Sequence, residues 1–132
     1  SGRTEVVLLG ETIRHAPALQ DISLFAEGIS DDGMKCFSEA IRHAPALQKI
    51  SLNCRNISDD GMKDFGEGIR HALALQEISL IYGGRISDDG MKKFSEGIRH
   101  APALQKISLV CFGRISDVGM NKFSEGIRHA PA

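Results

Sequence analysis

The sequence has few aromatic residues, 5% of 132, with no tryptophan and one tyrosine. It also lacks an excess of either charge, since its formal net charge is -1. A nearly neutral chain has no electrostatic reason to bind nucleic acid or an anionic membrane, so we expect neither partner. No apolar run approaches the roughly 20 residues that a membrane-spanning helix needs, and no signal-peptide pattern is present. These absences leave the class of soluble globular proteins.

Most of the sequence consists of tandem repeats. The dodecapeptide IRHAPALQKISL occupies residues 41–52 and recurs unchanged at residues 98–109. Copies of it begin every 28 or 29 residues, at Ile13, Ile41, Ile69, Ile98 and Ile127. A second motif, ISDDG or ISDVG, alternates with it. Self-similarity at a fixed period predicts one tandem array over residues 1–132, of about four and a half repeats, without a linker or second domain.

Residues 47–74 show what one repeat contains. The segment LQKISL alternates apolar and polar residues, which indicates a short, half-buried strand. Ser58 then precedes two aspartates, a pattern typical of the N-cap and first turn of a helix. Met62, Phe65 and Ile69 fall within about 60° of one another at 100° per residue, so this helix has one apolar side.

Strands that recur at this interval are expected to be parallel, with a helix in each crossover. We predict four strands, at residues 19–24, 47–52, 75–80 and 104–109, and five helices, the first over residues 4–15. Strands stack about 4.8 Å apart whereas packed helices need about 8–10 Å. The array should therefore curve, with the strands on its concave side and the helices on its convex side. The expected fold class is α/β.

The same residues carry a family resemblance. The pattern resembles the leucine-rich repeat of the ribonuclease-inhibitor type at Leu47, Ile50, Leu52, Ile57, Gly61, Phe65 and Ile69. The resemblance implies a right-handed solenoid, a horseshoe fragment, that binds a protein or peptide on its concave face. The phrase ISDDGMKxFSEGIRHAPxLQ further resembles the repeats of cytosolic nucleotide-binding oligomerisation-domain-like (NLR) immune receptors. That likeness implies a non-catalytic sensor module.

The turns depart from the family pattern. The family places Asn or Cys two residues before the Ile that closes the turn, where this sequence has Glu27, Arg55, Gly84 and Gly113. The ladder of side chains that would satisfy the backbone of the turn is therefore missing, and water or the Ser after each Ile must replace it. One extra residue in IYGGRI and VCFGRI predicts that the turns differ between the first two repeats and the last two.

The repeats differ most on the strand side that should point away from the core. Outward positions of parallel strands form rows, and one predicted row alternates in charge: Asp21, Lys49, Glu77 and Lys106. A serine row and a third row, Phe25, Asn53, Ile81 and Val110, should run beside it, with Tyr82 and Phe112 near the rim. Adjacent exposed apolar groups are typical of an interaction surface. The predicted ligand-binding residues are Phe25, Lys49, Asn53, Glu77, Ile81, Tyr82, Arg85, Lys106, Val110, Phe112 and Arg114.

Each assignment has a structural alternative. The charge row is also compatible with a solvated surface whose lateral pairs contribute under about 1 kcal/mol each. A tilt of the longer turn would bury Ile81 or Phe112. Arg85 and Arg114 stack in neighbouring repeats and would suit a carboxylate, but such arginines also pair with first-turn aspartates such as Asp88.

No catalytic or metal-binding set is predicted. Five histidines share one repeat position, but neighbouring helices are about 8–10 Å apart and no histidine has an i,i+4 partner. Cys36, Cys54 and Cys111 have no neighbouring base to activate a thiol. Cys54 and Cys111 hold equivalent positions two repeats apart, roughly 10 Å, which is too far for a disulfide. We expect no enzyme, metal or cofactor, and a reducing, cytoplasmic location.

A recognition module is the favoured function, and two alternatives remain. One is an enzyme regulator of the ribonuclease-inhibitor or GTPase-activating type, and the other is an engineered consensus scaffold. Near-identical repeats favour the scaffold, whereas irregularities at Leu73, Val118 and Asn121 disfavour it. An apolar first helix and open sheet edges indicate a fragment of a longer array. They also allow a homodimer through the sheet edges or the first helix.

Overall fold

The computed structural model of the chain describes residues 10–24 and 29–111. In chain order these residues form α1 (residues 10–14), β1 (Asp21–Leu24), α2 (Asp31–Ile41), β2 (Lys49–Cys54), α3 (Asp59–Ile69), β3 (Glu77–Tyr82), α4 (Asp88–Ile98) and β4 (Lys106–Cys111). The α/β class is therefore confirmed. The described part contains four helical segments instead of five, because the predicted helix after β4, like residues 4–9 of the first helix, lies outside it.

The four strands form one parallel sheet in the order β1-β2-β3-β4, as predicted. Each strand begins two residues later than predicted, because the N–H groups of both Gln48 and Lys49 donate to the carbonyl of Gln20 before the ladder starts, at 2.7 and 3.0 Å. From β2 onward each strand also ends two residues later. Cys54 still pairs with Tyr82 there, so the alternation of the strand continues past its predicted end.

The helices cover one side of the sheet. Ile50 and Leu52 of β2 share a continuous hydrophobic core with Met62, Phe65 and Ile69 of α3, and all five side chains have 0% exposure. The predicted apolar side of the helix is thus confirmed. Phenylalanines at one repeat position form a row along the helix layer. The Phe37 and Phe65 rings are tilted, with centroids 6.5 Å apart, and the Phe65 and Phe94 rings are stacked, with centroids 5.8 Å apart. We call the opposite side of the sheet the open face.

Neighbouring helices meet at small residues. A Cβ atom added to Gly68 of α3 would lie 2.8 Å from the Cβ atom of Ser38 in α2, and one added to Gly97 of α4 would collide with the carbonyl oxygen of Gly66 in α3. The α1–α2 contact is looser, because a Cβ at Gly10 would lie 3.7 Å from that of Ala40. The close packing of α3 with α4 therefore requires the absence of a side chain.

The repeats are also joined where the helices begin, in what we call the Asp–Ser joint. The Asp31 carboxylate accepts hydrogen bonds from the backbone N–H and the Oγ of Ser58 in the next repeat, at 2.9 and 2.5 Å. Asp59 makes the same two bonds with Ser87, at 2.7 and 2.5 Å. Gly61 makes room for this contact, since a Cβ there would lie 2.5 Å from Asp31 Oδ1. The serine after each of these Ile residues is therefore itself held by an aspartate of the preceding repeat, and its side chain forms no bond to the turn backbone in these contacts.

The extra residue of the longer turn is placed directly after the strand. The N–H of Ile57 closes the shorter turn on the carbonyl of Cys54, the last residue of β2, at 3.2 Å. In the longer turn, the N–H of Ile86 reaches Gly83, one residue beyond β3, at 3.5 Å. A Cβ atom at Gly83 would lie 2.8 Å from the carbonyl oxygen of Arg55. Glycine therefore lets the inserted residue cross the preceding turn.

Candidate functional site

The open face carries three rows of side chains in the predicted register. The charge row pairs Asp21 with Lys49, Lys49 with Glu77 and Glu77 with Lys106. The serine row follows at Ser23, Ser51, Ser79 and Ser108, and the third row contains Asn53, Ile81 and Val110. Side chains two residues apart along a strand project to the same side of a sheet, so the rows form one surface.

The charge row is neutralised in its middle and not at its ends. Lys49 Nζ lies 3.1 Å from Glu77 Oε2, and both side chains are partly exposed, at 48% and 30%. Among the described residues, neither Asp21 nor Lys106 takes part in an ion pair or a side-chain hydrogen bond. The lateral pairing expected of a solvated surface is thus present only at the central pair.

The third row is less uniform than its apolar sequence pattern predicted. Val110 is 49% exposed, whereas Asn53 and Ile81 are half-buried. The side-chain oxygen of Asn53 accepts a hydrogen bond from the backbone N–H of Arg55 at 3.3 Å, so this amide stabilises its own turn. The row therefore offers one exposed apolar contact at Val110 and a partly covered one at Ile81.

Tyr82 is not at the rim, and that prediction is wrong. Its side chain is only 2% exposed, because β3 continues to residue 82 and the alternation that points Ile78 and Leu80 inward applies to Tyr82 as well. Burial, and to a smaller extent the neighbouring Cys111 side chain, raises the pKa of its phenol. Tyr82 also lies between Cys54 and Cys111 in the register, so those cysteines are two strands apart, as predicted.

Arg85 is exposed and holds the backbone of the preceding turn. Its Nη1 donates to the carbonyl oxygen of Asn56 at 2.9 Å. This contact uses part of the guanidinium group that the sequence suggested for a carboxylate. Three other predicted binding residues, Phe25, Phe112 and Arg114, lie outside the described residues.

Glutamines complete the surface and were missed by the sequence reasoning. A depression of about 290 Å³ on the open face is lined by Asp21, Gln48, Lys49, Gln76, Glu77, Gln105 and Lys106. The carbonyls of Gln20, Gln48 and Gln76 each accept two N–H groups from the following repeat. The signal was present in the sequence, because every repeat has Gln directly before the variable charge.

A second depression, of about 230 Å³, lies between α2 and α3 on the helix side. Burial raises the pKa of Asp64 at this place, and the charge of Lys35 opposes that shift. Ser38 lies beside it with a buried Oγ that has no hydrogen-bond partner within the described residues. In α4 the equivalent Ser95 donates to the carbonyl of Met91 at 2.8 Å, so a helix carbonyl is the natural partner of this hydroxyl. This hydroxyl therefore gives little reason to expect a ligand there.

The described residues contain no cluster of His, Cys, Asp or Glu side chains that would hold a metal ion. Burial raises the pKa of the Cys54 thiol to about 12, which keeps it protonated and unreactive at neutral pH. No helix in the described ranges is long and apolar enough to cross a membrane. The chemistry available on the open face is that of charged groups, amides, hydroxyls, an exposed valine and a half-buried isoleucine.

Comparison with known proteins identified no related sequence. No protein-family model matches the chain, and no curated protein sequence is significantly similar to it. The repeats and the open face are therefore the features of the chain that bear on its function.

Proposed function

We propose that the chain is a non-catalytic recognition module of the leucine-rich-repeat type, with a right-handed, horseshoe-like curvature and a ligand-binding open face on its concave side. The ligand is a protein or a peptide. Within this proposal the module works as the sensor repeats of cytosolic immune receptors do, by presenting variable residues on a constant frame.

The observation that carries the proposal is the contrast between the two sides of the same strands. In the strand cores the inward positions repeat one residue type, as at Ile22, Ile50, Ile78 and Ile107. They differ at the strand ends, where Cys54 pairs with Tyr82. Of the three outward rows, the serine row is also uniform, but the other two change between Asp, Lys and Glu or between Asn, Ile and Val. A frame that needs uniform packing tolerates variation only where side chains meet solvent or a partner.

The chemistry of the open face fits a polypeptide better than a small molecule. Its depression is shallow and lined by charged and amide side chains, whereas small-molecule pockets are concave and mostly apolar. Val110 adds an exposed apolar contact next to these polar groups. Protein interfaces combine apolar anchors with a polar rim in this way.

A library of random displayed peptides, selected on the whole chain, tests this proposal. Two variants alter the open face, Lys49→Glu and Val110→Glu, and Lys63→Glu makes the same charge change as the first on an exposed position of α3. We expect the selected peptides to lose roughly tenfold or more in affinity on the open-face variants, because a central charge is reversed or an apolar contact is lost, and to keep it on Lys63→Glu.

Circular dichroism of each variant separates loss of binding from loss of folding. Peptides that bind the open-face variants normally and lose affinity for Lys63→Glu would place recognition on the helix side and overturn the proposal. Failure to select any peptide that depends on the open face would do the same.

A further inference from the structure

The ends of the charge row set the spacing of a complementary ligand. Asp21 and Lys106 are exposed, opposite in sign and three strand positions apart in register. At about 4.8 Å per strand, this separation is about 14 Å. An extended peptide rises about 3.4 Å per residue, so two of its residues four positions apart span the same distance. Residues i and i+4 also point to the same side of an extended chain, so both can face the sheet.

The middle of the charge row determines which side chain the peptide can carry between its two charged residues. Side chain i+2 of such a peptide would face the Lys49–Glu77 pair, which is already closed at 3.1 Å. A charge there would meet a like charge as well as an opposite one, so a small neutral residue fits best. The order of the row therefore favours a basic residue, a neutral residue and an acidic residue at positions i, i+2 and i+4.

Main-chain groups of the peptide would find partners in the same depression. Gln48, Gln76 and Gln105 line it next to the charges. Within the described part of the chain, none of these three amides forms a side-chain hydrogen bond. Each amide carries both a donor and an acceptor, which matches the N–H and C=O groups of a peptide backbone.

We propose that the open face binds an extended peptide lying across the strands, with a basic side chain at Asp21 and an acidic side chain four residues away at Lys106. This inference rests on the proposed recognition function and specifies its ligand. The order of the two charges in the peptide fixes its direction, because the basic side chain must lie at Asp21 and the acidic one at Lys106.

Fluorescence anisotropy with labelled nonapeptides tests the spacing. The reference peptide carries Lys and Glu four positions apart in a background of Ser, Gly and Thr, and its comparison peptides carry Lys and Glu three apart, Lys and Lys four apart, or Glu and Glu four apart. Each exposed charge pair contributes modestly, so we expect the reference peptide to bind roughly fivefold tighter than each of the others. The advantage should shrink at high salt, because exposed charges are screened.

Two variants should switch the preference. Asp21→Lys makes both ends of the row basic and should favour the Glu/Glu peptide, whereas Lys106→Glu makes both ends acidic and should favour the Lys/Lys peptide. Asp64→Lys is the matched control: it makes the same charge change as Asp21→Lys on the helix side, where α4 already has Lys93 at the equivalent position. The control should leave the order of the four affinities unchanged.

Two outcomes would overturn the inference. If Asp64→Lys changes the preference as Asp21→Lys does, binding follows net charge and not the charge row. If the four peptides bind equally while library-selected peptides still require the open face, the extended-peptide inference fails and the proposed function stands. Absence of any binder that depends on the open face removes both.

Discussion

The joints between repeats and the open face of the sheet obey opposite rules. At the joints, equivalent residues make equivalent bonds: Asp31 contacts Ser58 as Asp59 contacts Ser87, through the same atoms. On the open face, equivalent positions of the charge row and of the third row hold unlike residues that differ in charge or exposure. The backbone repeats in both regions, so the difference lies in what each side chain must fit.

This difference shows where the repeat is constrained. Each joint places a group of one repeat against a fixed place in the next, so a change on one side needs a change on the other. The helix contacts show such matching, since Ala40 faces Gly10 while Gly68, at the position equivalent to Ala40, faces the larger Ser38. The open face has no such partner within the described residues, except at the Lys49–Glu77 pair. Substitutions on the open face should therefore change the stability of the fold little.

The largest expected effect is that of a methyl group added where α3 and α4 are in closest contact. Gly97→Ala places a Cβ against the carbonyl oxygen of Gly66, a backbone atom that cannot rotate away. We expect the free energy of unfolding to fall by about 3 kcal/mol, from overpacking that exceeds the gain in helix propensity. Chemical denaturation measures it.

The matched change Gly10→Ala should have the opposite sign. Its added Cβ would lie 3.7 Å from that of Ala40, an ordinary contact, so helix propensity should raise stability by about 0.5–1 kcal/mol. Equal effects at the two positions would show that the α1–α2 and α3–α4 contacts do not differ as described.

Removal of one carboxylate at the Asp–Ser joint should have the next largest effect. Asp31→Ala leaves the backbone N–H and the hydroxyl of Ser58 without their charged acceptor. We expect a loss of about 2 kcal/mol in the free energy of unfolding. Asp32→Ala removes the other, exposed first-turn carboxylate and should cost about 0.5 kcal/mol, mainly through the helix dipole. A loss as large for Asp32→Ala would assign the effect to the dipole instead of the joint.

The buried thiol predicts a dependence on alkaline pH. Burial raises the pKa of Cys54 from 9.0 to about 12, so above pH 9 the unfolded chain releases a proton that the folded chain keeps. The stabilisation is therefore complete below pH 9 and is lost as pH rises towards 12. Between pH 9 and 10 the wild type should lose about 1 kcal/mol more than Cys54→Ala. Parallel stability curves for the two proteins would contradict the assignment.

The smallest expected effect is on the open face. Val110 is 49% exposed, so Val110→Thr should change the free energy of unfolding by less than about 0.5 kcal/mol. Ile78→Thr, at a position with 0% exposure on the other side of the sheet, should cost more than about 2 kcal/mol because it buries a hydroxyl and leaves a gap. Similar losses at both positions would remove the distinction between frame and face.

Much of the fold followed from the period of the sequence. Four parallel strands, their register, and the buried Met62, Phe65 and Ile69 were predicted from alternation and helical spacing, and are confirmed. Strand ends were less predictable, because pairing with a neighbour extends a strand past its last aliphatic residue. That extension is why Tyr82 was assigned to the surface and lies in the core.

Residue order along the chain determined the two side-chain periodicities, since a period of two or of 3.6 residues already states which positions share a side. It therefore determined which residues form rows and which enter the core. Only the tertiary structure decided which partners those residues meet: that Asp31 bonds to Ser58, that Gly97 touches Gly66, and that Lys49 closes on Glu77. Such contacts join residues about one repeat apart, and their distances depend on how closely neighbouring repeats pack.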